Sequence, residues 1–480
     1  MPLPADGLDE ADLFATLSTY REHDMPWRDG RTWAYVYDAG PDVERVGKRA
    51  YLDFLSENAL DPTVFPSLMR LENEVVGIAC AHLNAPEGAV GSFTTGGTES
   101  CMLAMKTARD SARALRGITE PEVILPTTAH AAFHKGAEYF GIRKVLVDVD
   151  PETWCADPAA MEAAITPNTV LMVGSAVSYA HGVMDPIEEL GAIALRHGVL
   201  LHVDACIGGF LLPYFRRLGA AIPPFDLSVP GVTSISMDLH KYGFCPKPSS
   251  VVVYRDAALR KFQIFSCATW TGYTVVNPTF LSTRSGGPVA ASWAVLNYMG
   301  DAGYLELAST IHEGTRTIIE GIRGIDGLEL LGEPQMNLVA FASSRISVFV
   351  LADRMKARSW YLQPQLGYCG SRPNLHLSIQ PQCVKWADEL IDDLREVTAE
   401  LLAEAAEAAP APGPDPAMLA QLDPSSLDDA TLGALLASVG VQGAQLPDAM
   451  AEINHLLDAL PPEVTQEVLR SYLNSLYVPA

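Results

Sequence analysis

Between Glu122 and Tyr254 the hydrophobic period switches repeatedly, and this alternation constrains the fold more than any other feature of the chain. Short apolar runs at Glu122–Pro126, Lys144–Asp148, Thr169–Gly174, Val199–Asp204 and Val251–Tyr254 read as strands. Helical stretches at Ala131–Phe140, Ala159–Ile165 and Pro186–Arg196 separate most of them. Strands apolar on both faces, alternating with helices, predict an α/β fold with a large, mostly parallel sheet covered on both sides. In such sheets ligands sit beyond the C-terminal strand ends. His130, Ser175, Asp204 and Lys241 all fall there.

Two of those strand ends carry chemistry. Leu201-His-Val-Asp-Ala-Cys-Ile-Gly-Gly209 is an apolar run that ends in a carboxylate followed by small residues. Ser234-Ile-Ser-Met-Asp-Leu-His-Lys-Tyr-Gly243 runs from an alternating strand into Asp238, His240 and Lys241. Either Asp204 or Lys241 alone is commonplace. Together, in this order, they point to a pyridoxal phosphate site. Asp204 would keep the ring nitrogen protonated and Lys241 would carry the aldehyde as a Schiff base. Upstream, Gly91-Ser-Phe-Thr-Thr-Gly-Gly-Thr-Glu-Ser100 precedes a helix. Glycines there let backbone N–H groups converge on an anion, with Thr98 adding a hydroxyl at the helix start. The stretch is neither a Walker loop nor GxGxxG, and a plain turn before a helix explains the glycine pair about as well. His130, just after a strand end, stands at the right height to stack on a flat ring, although a lone histidine there is more often structural.

Composition narrows the partners. The 480 residues carry a formal charge of −25, which argues against nucleic acid and anionic membranes as partners. An anionic cofactor therefore needs a locally positive site. The eight cysteines show no CxxC and no metal-ligand spacing, so free thiols in a reducing, cytoplasmic compartment and no metal are expected. The N-terminus has no signal-peptide pattern, and no run reaches transmembrane length.

The chain divides by composition into five parts. Residues 1–50 read as an arm, with an amphipathic helix over Asp9–Tyr20 and then Trp27, Trp33, Tyr35 and Tyr37. Those aromatics suit ordinary packing, a partner subunit or a cavity mouth. Residues 51–288 form the large domain and 289–407 a smaller α+β domain, with helices at Val289–Met299, Tyr304–Arg323 and Val384–Leu402. Residues 408–416 are a Pro/Ala linker, and 417–480 a helical tail with helices over Leu427–Leu436 and Ile453–Leu476.

Five motifs together resemble the sphingosine-1-phosphate lyase family of the group II pyridoxal-phosphate decarboxylases. They are Thr94-Thr-Gly-Gly-Thr-Glu-Ser100, Ala129-His-Ala-Ala-Phe133, His181-Gly-Val-Met-Asp-Pro-Ile-Glu-Glu189, His202-Val-Asp-Ala-Cys-Ile-Gly-Gly209 and His240-Lys-Tyr-Gly243. The resemblance covers roughly residues 35–400 and implies an aspartate-aminotransferase-like fold (fold type I). It implies Lys241 as the cofactor-bearing lysine, Asp204 on the pyridine nitrogen and His130 stacked on the ring. Gly97, Thr98 and His240 would contact the cofactor phosphate, beside Ser175 at its strand end. Tyr37 and Lys247 match residues that receive the substrate phosphate, and with His130 they are the nearest candidates for handling the substrate's hydroxyl or anionic end, Tyr37 and His130 counting with Lys241 and Asp204 as catalytic. Thr283 would reach a neighbouring subunit's cofactor, so a homodimer with shared active sites is implied.

Departures bear on the substrate, which is expected to be a small amine or amino acid. The favoured reaction is cleavage of an anionic, phosphorylated 2-amino-alcohol to an aldehyde and an amine; decarboxylation of an amino acid is the alternative. Asp61 stands where the lyases have a phosphate-binding histidine. A carboxylate about 4 Å from a phosphate would repel it by roughly 4 kcal/mol at an effective dielectric near 20. Asp61 also suits a simple turn-capping role before Pro62. Pro248 replaces a glycine, and Tyr179-Ala-His181 replaces Phe-Pro-His. The membrane-spanning helix of the eukaryotic lyases is not expected here, and the tail after Pro410 shows no evident counterpart.

Overall fold

In the computed structural model, which describes residues 3–407, 429–441 and 446–479, seven strands form one sheet. They are β1 (Val90–Thr94), β2 (Glu122–Pro126), β3 (Arg143–Val147), β4 (Thr169–Ser175), β5 (Leu200–Asp204), β6 (Val232–Asp238) and β7 (Ser250–Tyr254). Their spatial order is β1-β7-β6-β5-β4-β2-β3. Strands β2 to β6 are mutually parallel, and β7 runs antiparallel to both its neighbours, β6 and β1. Every residue of β2, β4 and β7 is buried, which is why these strands read as continuous apolar runs. The edge strand β3 is mostly exposed. The parallel strands put Ser175, Asp204 and Asp238 at one end of the sheet.

The structure corrects the reading of Gly91–Ser100 as one continuous cup. Val90–Thr94 is a strand paired with β7, and only the residues after it turn into the helix Gly97–Arg116. Its partner lies far along the sequence, so nothing local marked the pairing. A buried hydroxyl chain ties strand, helix and sheet together: Thr94 Oγ1 to Ser100 Oγ at 2.7 Å, then Ser100 Oγ to Ser250 Oγ at 2.9 Å.

A long helical run, Gly287–Arg323, leaves the large domain and is broken at Gly300 (φ 58°, ψ 175°) into the two helices its period suggested. It leads to a four-stranded antiparallel sheet in the order Glu329–Leu330, Leu338–Ala342, Asn374–Ser378, Gln363–Gln365. The helices Val348–Ala357 and Ala387–Glu407 accompany that sheet. The strand Gln363–Gln365 had no sequence signal.

The arm is less separate than its composition suggests. Helix Glu10–Thr19 buries no residue, yet Trp33 is fully buried and its carbonyl accepts from Ser378 N–H at 2.7 Å. In the tail, the expected helix Ile453–Leu476 is two helices, Ala451–Ala459 and Pro462–Leu476. Pro461-Pro462 supplies no N–H to continue the first. A third helix, Asp429–Ser438, joins them around Leu432, Leu456, Leu460, Val464 and Val468. The linker 408–416 lies outside the described residues.

Helix Ile187–His197 approaches β6 so closely that a Cβ on Gly231 would stand 2.1 Å from the Gly191 carbonyl oxygen. A backbone atom cannot swing aside as a side chain does, and overpacking of this kind costs about 1–3 kcal/mol. Gly231→Ala is expected to lower the unfolding free energy by that amount in chemical denaturation, at unchanged slope.

Candidate active site

The C-terminal ends of β4, β5 and β6 open into a cavity of about 800 Å³. Of the residues singled out in the sequence, Gly97, Thr98, His130, Ser175, Asp204, His240, Lys241 and Lys247 line it. Tyr37 stands just behind, with Lys247 Nζ 6.0 Å from its ring centroid and its ring edge-on to Tyr242. Asp61 and Thr283 are exposed and do not line this chain's cavity. Their segments are stitched together by a bridge between Asn58 and Ser285 and by Ala59 N–H donating to the Arg284 carbonyl at 2.8 Å. Asp61 caps its own turn, accepting from Thr63 N–H at 2.8 Å and Thr63 Oγ1 at 2.6 Å.

Asp238, three residues before Lys241, was given no role from sequence and proves central. It is 2% exposed, and its Oδ2 lies 2.9 Å from Lys241 Nζ and 3.8 Å from His240 Nε2. Burial would raise its pKa, but Lys241 and then His240 outweigh burial and hold the carboxyl below its usual range. Burial likewise favours a neutral Lys241, and the Asp238 carboxylate outweighs it, lifting the amine above its ordinary value. His240 donates from Nδ1 to the Ser249 carbonyl at 2.6 Å, while burial chiefly lowers its pKa.

Beneath Asp204 runs a polar ladder. His202 meets Ser234 Oγ at 2.9 Å through Nδ1 and Ser236 Oγ at 3.2 Å through Nε2. Burial, opposed by Asp204, brings His202 down to about 4, so the ring is neutral. Asp204 Oδ1 accepts from Cys206 N–H at 3.1 Å. His130 caps helix Ala131–Phe140, its Nδ1 accepting from Ala132 N–H at 3.1 Å. With Nδ1 accepting that bond, Nε2 is the ring nitrogen left for other partners.

The cup is shaped by close approach. A Cβ on Gly97 would lie 2.7 Å from Cys206 Sγ and 2.8 Å from each Asp238 carboxylate oxygen. Glu99, in the first turn of helix Gly97–Arg116, accepts from Thr95 N–H and Thr95 Oγ1 at 2.7 Å each, and from Phe280 N–H at 2.8 Å. It thereby fixes the turn and draws Phe280 to the cavity wall. Tyr179, also unassigned from sequence, lines the cavity, donates to Gln363 Oε1 at 2.7 Å and stacks on His376. No local pattern tied Tyr179 to a strand some 180 residues away. Folding also brings one ligand atom each of Cys101, Asp204 and Cys206 within 4.8 Å of one another. Burial raises the Cys101 thiol, and the contact with Cys101 followed by burial raises Cys206 well above the usual thiol range, so both are protonated thiols here.

These groups fit pyridoxal phosphate. A buried carboxylate ends β5, an amine follows β6, and a glycine-walled helix start with Thr98 faces the same space.

A family profile described as "Pyridoxal-dependent decarboxylase conserved domain" matches residues 51–344. A second, described as "Pyridoxal-dependent enzyme, C-terminal putative HTH domain", matches residues 414–475, in the tail. The chain is 41% identical over 403 residues to a sphingosine-1-phosphate lyase of Arabidopsis thaliana, covering 82% of this chain and 73% of that protein. It is 37% identical over 315 residues to a "Probable L-tyrosine/L-aspartate decarboxylase" of Methanothermobacter thermautotrophicus, covering 66% of this chain and 84% of that protein. Among solved structures, the Burkholderia pseudomallei sphingosine-1-phosphate lyase Bpss2021 matches with a TM-score of 0.81 at 35% identity, covering 85% of this chain and 94% of that one.

The Asp238–Lys241 pair yields a titration test. Since the carboxylate raises the lysine, Asp238→Asn should lower the Lys241 pKa by about one to three units. In cofactor-free protein, amine-directed labelling of Lys241 followed against pH should shift to lower pH by that amount; an unshifted profile contradicts the coupling.

Proposed function

This chain belongs to the pyridoxal-dependent decarboxylase family, on its sphingosine-1-phosphate lyase branch, and from that premise we propose a substrate: an anionic, phosphorylated 2-amino-alcohol, cleaved to an aldehyde and an amine. The observation that carries this reading is Lys247. Its ammonium sits on the cavity wall, donates to the Tyr35 carbonyl at 3.0 Å, and has no carboxylate partner among the described residues. Burial and then the nearby Lys241 lower its pKa, so a bound anion would relieve both penalties. Tyr37 supports the same end of the cavity. Burial, opposed by Lys241, holds its phenol above the usual range, leaving a protonated hydroxyl to donate to an anion.

Pyridoxal phosphate, when bound, supplies an electron sink for the carbon beside the substrate amine. Asp204, a carboxylate on the cavity wall, would keep the cofactor's ring nitrogen protonated and so sustain that sink. Lys241 would hold the cofactor through its amine, and that amine, when free, would be able to take the substrate's hydroxyl proton. Asp238 then stabilises the ammonium that results. His130, on the same cavity wall, would cover the cofactor and exclude water.

The reading extends to assembly and compartment. Asp61 and Thr283 are exposed on stitched segments outside this chain's own cavity, which supports a homodimer in which they serve a second copy's site. All eight cysteines are free, which supports a cytoplasmic setting, and among the described residues no helix is long and apolar enough to cross a membrane.

Three measurements test this. Borohydride reduction of the holoenzyme should fix the cofactor on Lys241 in a peptide map, and Lys241→Ala should take no label. With a sphingoid-base phosphate and a panel of α-amino acids, wild type should release aldehyde from the first and no CO₂ from the second. CO₂ without aldehyde would establish the decarboxylase reading, which the archaeal relative and the exchange of histidine for Asp61 favour. If Asp61 faces the phosphate in a dimer, Asp61→His should improve kcat/KM for the phosphorylated substrate about tenfold or more by removing a like charge; an unchanged value places Asp61 outside the substrate's reach.

A further inference from the structure

The C-terminal tail is matched by a helix-turn-helix description, yet residues 417–480 contain eight carboxylates and a single cation other than histidine, Arg470, which pairs with Glu467. Such a surface repels phosphate backbones. Its polar contacts point inward instead, toward the small domain. Asp353 on helix Val348–Ala357 accepts from Met450 N–H at 2.9 Å and Ala451 N–H at 2.8 Å, capping the start of helix Ala451–Ala459. His455 meets Ser347 Oγ at 2.9 Å and lies edge-on to Phe349. Lys356 Nζ donates to the Asp448 carbonyl at 2.8 Å.

One contact goes further than docking. Asp458, in the last turn of helix Ala451–Ala459, accepts from Gly367 N–H at 2.6 Å. Gly367 opens a tight loop in which Tyr368 and Ser371 exchange backbone hydrogen bonds of 2.9 Å. Ser371 Oγ meets His181 Nε2 at 3.0 Å, and His181 stacks on Trp154 with centroids 4.6 Å apart. Burial lowers His181 to about 4, so this link persists across the neutral pH range. Two residues before His181 stands Tyr179 on the cavity wall, itself bonded to Gln363 on the strand that leads into the same loop. Gln365 and Leu366 also border Thr127 and Thr128, which precede His130, around a small cavity of about 90 Å³.

We propose that the tail is a built-in buttress of the active-site wall and that Asp458 is a positioning residue, acting through the Gly367–Ser371 loop on the segments that hold Tyr179 and His130. The backbone N–H of Gly367 is the point of attachment, so the requirement at position 458 is an acceptor oxygen of the right reach and not a charge. Misplacing a reacting group's support by about 1 Å is enough to cost up to a hundredfold in rate. The proposal rests on the cavity being the active site and not on which substrate it takes.

The test compares full-length, cofactor-loaded Asp458→Ala, Asp458→Asn and Ser371→Ala with wild type. Asp458→Ala should lower kcat/KM roughly tenfold to a hundredfold, with cofactor stoichiometry near that of wild type. Asp458→Asn, which keeps the acceptor, should restore it. Hydrogen exchange gives a readout independent of turnover. In Asp458→Ala, amides of 367–371 and of 178–183 should both exchange faster. In Ser371→Ala the 178–183 amides should do so while helix Ala451–Ala459 stays protected. Wild-type kcat/KM in Asp458→Ala, equal impairment of the Asn variant, or faster exchange confined to 367–371 would each overturn the proposal. So would a loss of activity that merely follows release of the whole tail, seen as exposed amides in 451–459. Should wild type release neither aldehyde nor CO₂, the substrate reading fails, and the exchange arm still decides this one.

Discussion

The buried ion pair between Asp238 and Lys241 is the constraint on which the rest of the site depends. A lysine at a strand end inside an apolar fold loses its water and tends to give up its proton. Placing a carboxylate 2.9 Å away reverses that tendency, and each group keeps the other charged where neither would be alone. Removing one partner of such a pair leaves an uncompensated buried charge, a far larger penalty than the pair itself gains. The sheet has to deliver both groups with good geometry. It does so because Asp238 is the last residue of β6 and Lys241 lies one tight turn beyond it.

The remaining features of the cavity follow from packing polar groups under that pair. Asp204 ends the neighbouring parallel strand in register with Ser236, so two carboxylates come to one edge of the sheet. Asp238 is held by Lys241, while below Asp204 the strands carry a neutral histidine bonded to two serines and no further charge. Gly97 lets the helix start approach both Asp238 and Cys206 at a distance that excludes any side chain. The protein carries a charge of −25 overall, yet the cavity presents Lys241 and Lys247 on its lining. The lining also carries Glu99, Asp204 and Asp238, and Lys241 is paired with Asp238, so it is Lys247, without a carboxylate partner among the described residues, that favours an anionic ligand at this wall.

The small domain and the tail contribute from a distance. Tyr179 owes its place to Gln363 and His376, both from the antiparallel sheet, and the arm reaches that sheet through Trp33. The cavity is therefore lined by large-domain residues between Thr95 and Phe280, and the small domain props that lining from outside through Tyr179.

Much of this was legible in the amino-acid order. Periodicity located β2, β4 and β5 and helix Ala131–Phe140 to within a residue or so, because a strand buried on both faces and an amphipathic helix each impose their own repeat on the side chains. Asp204, Lys241 and the cup before helix Gly97–Arg116 were visible for a related reason. Each is a strand end or helix start, where local sequence already determines which way backbone groups point. What stayed hidden depends on pairing across long sequence distance. Strand β1 became a strand only by finding β7, Tyr179 became part of the wall only by finding Gln363, and Asp458 reached Gly367 only after the tail had docked. Asp61 and Thr283 were read from motif position as site residues, and the fold of a single chain leaves them outside its cavity. Local sequence determines which elements form and which groups stand at their ends. Only tertiary packing decides which of those ends meet, because contact between distant segments is set by the burial and hydrogen bonding of the whole chain and leaves no periodic trace in either segment.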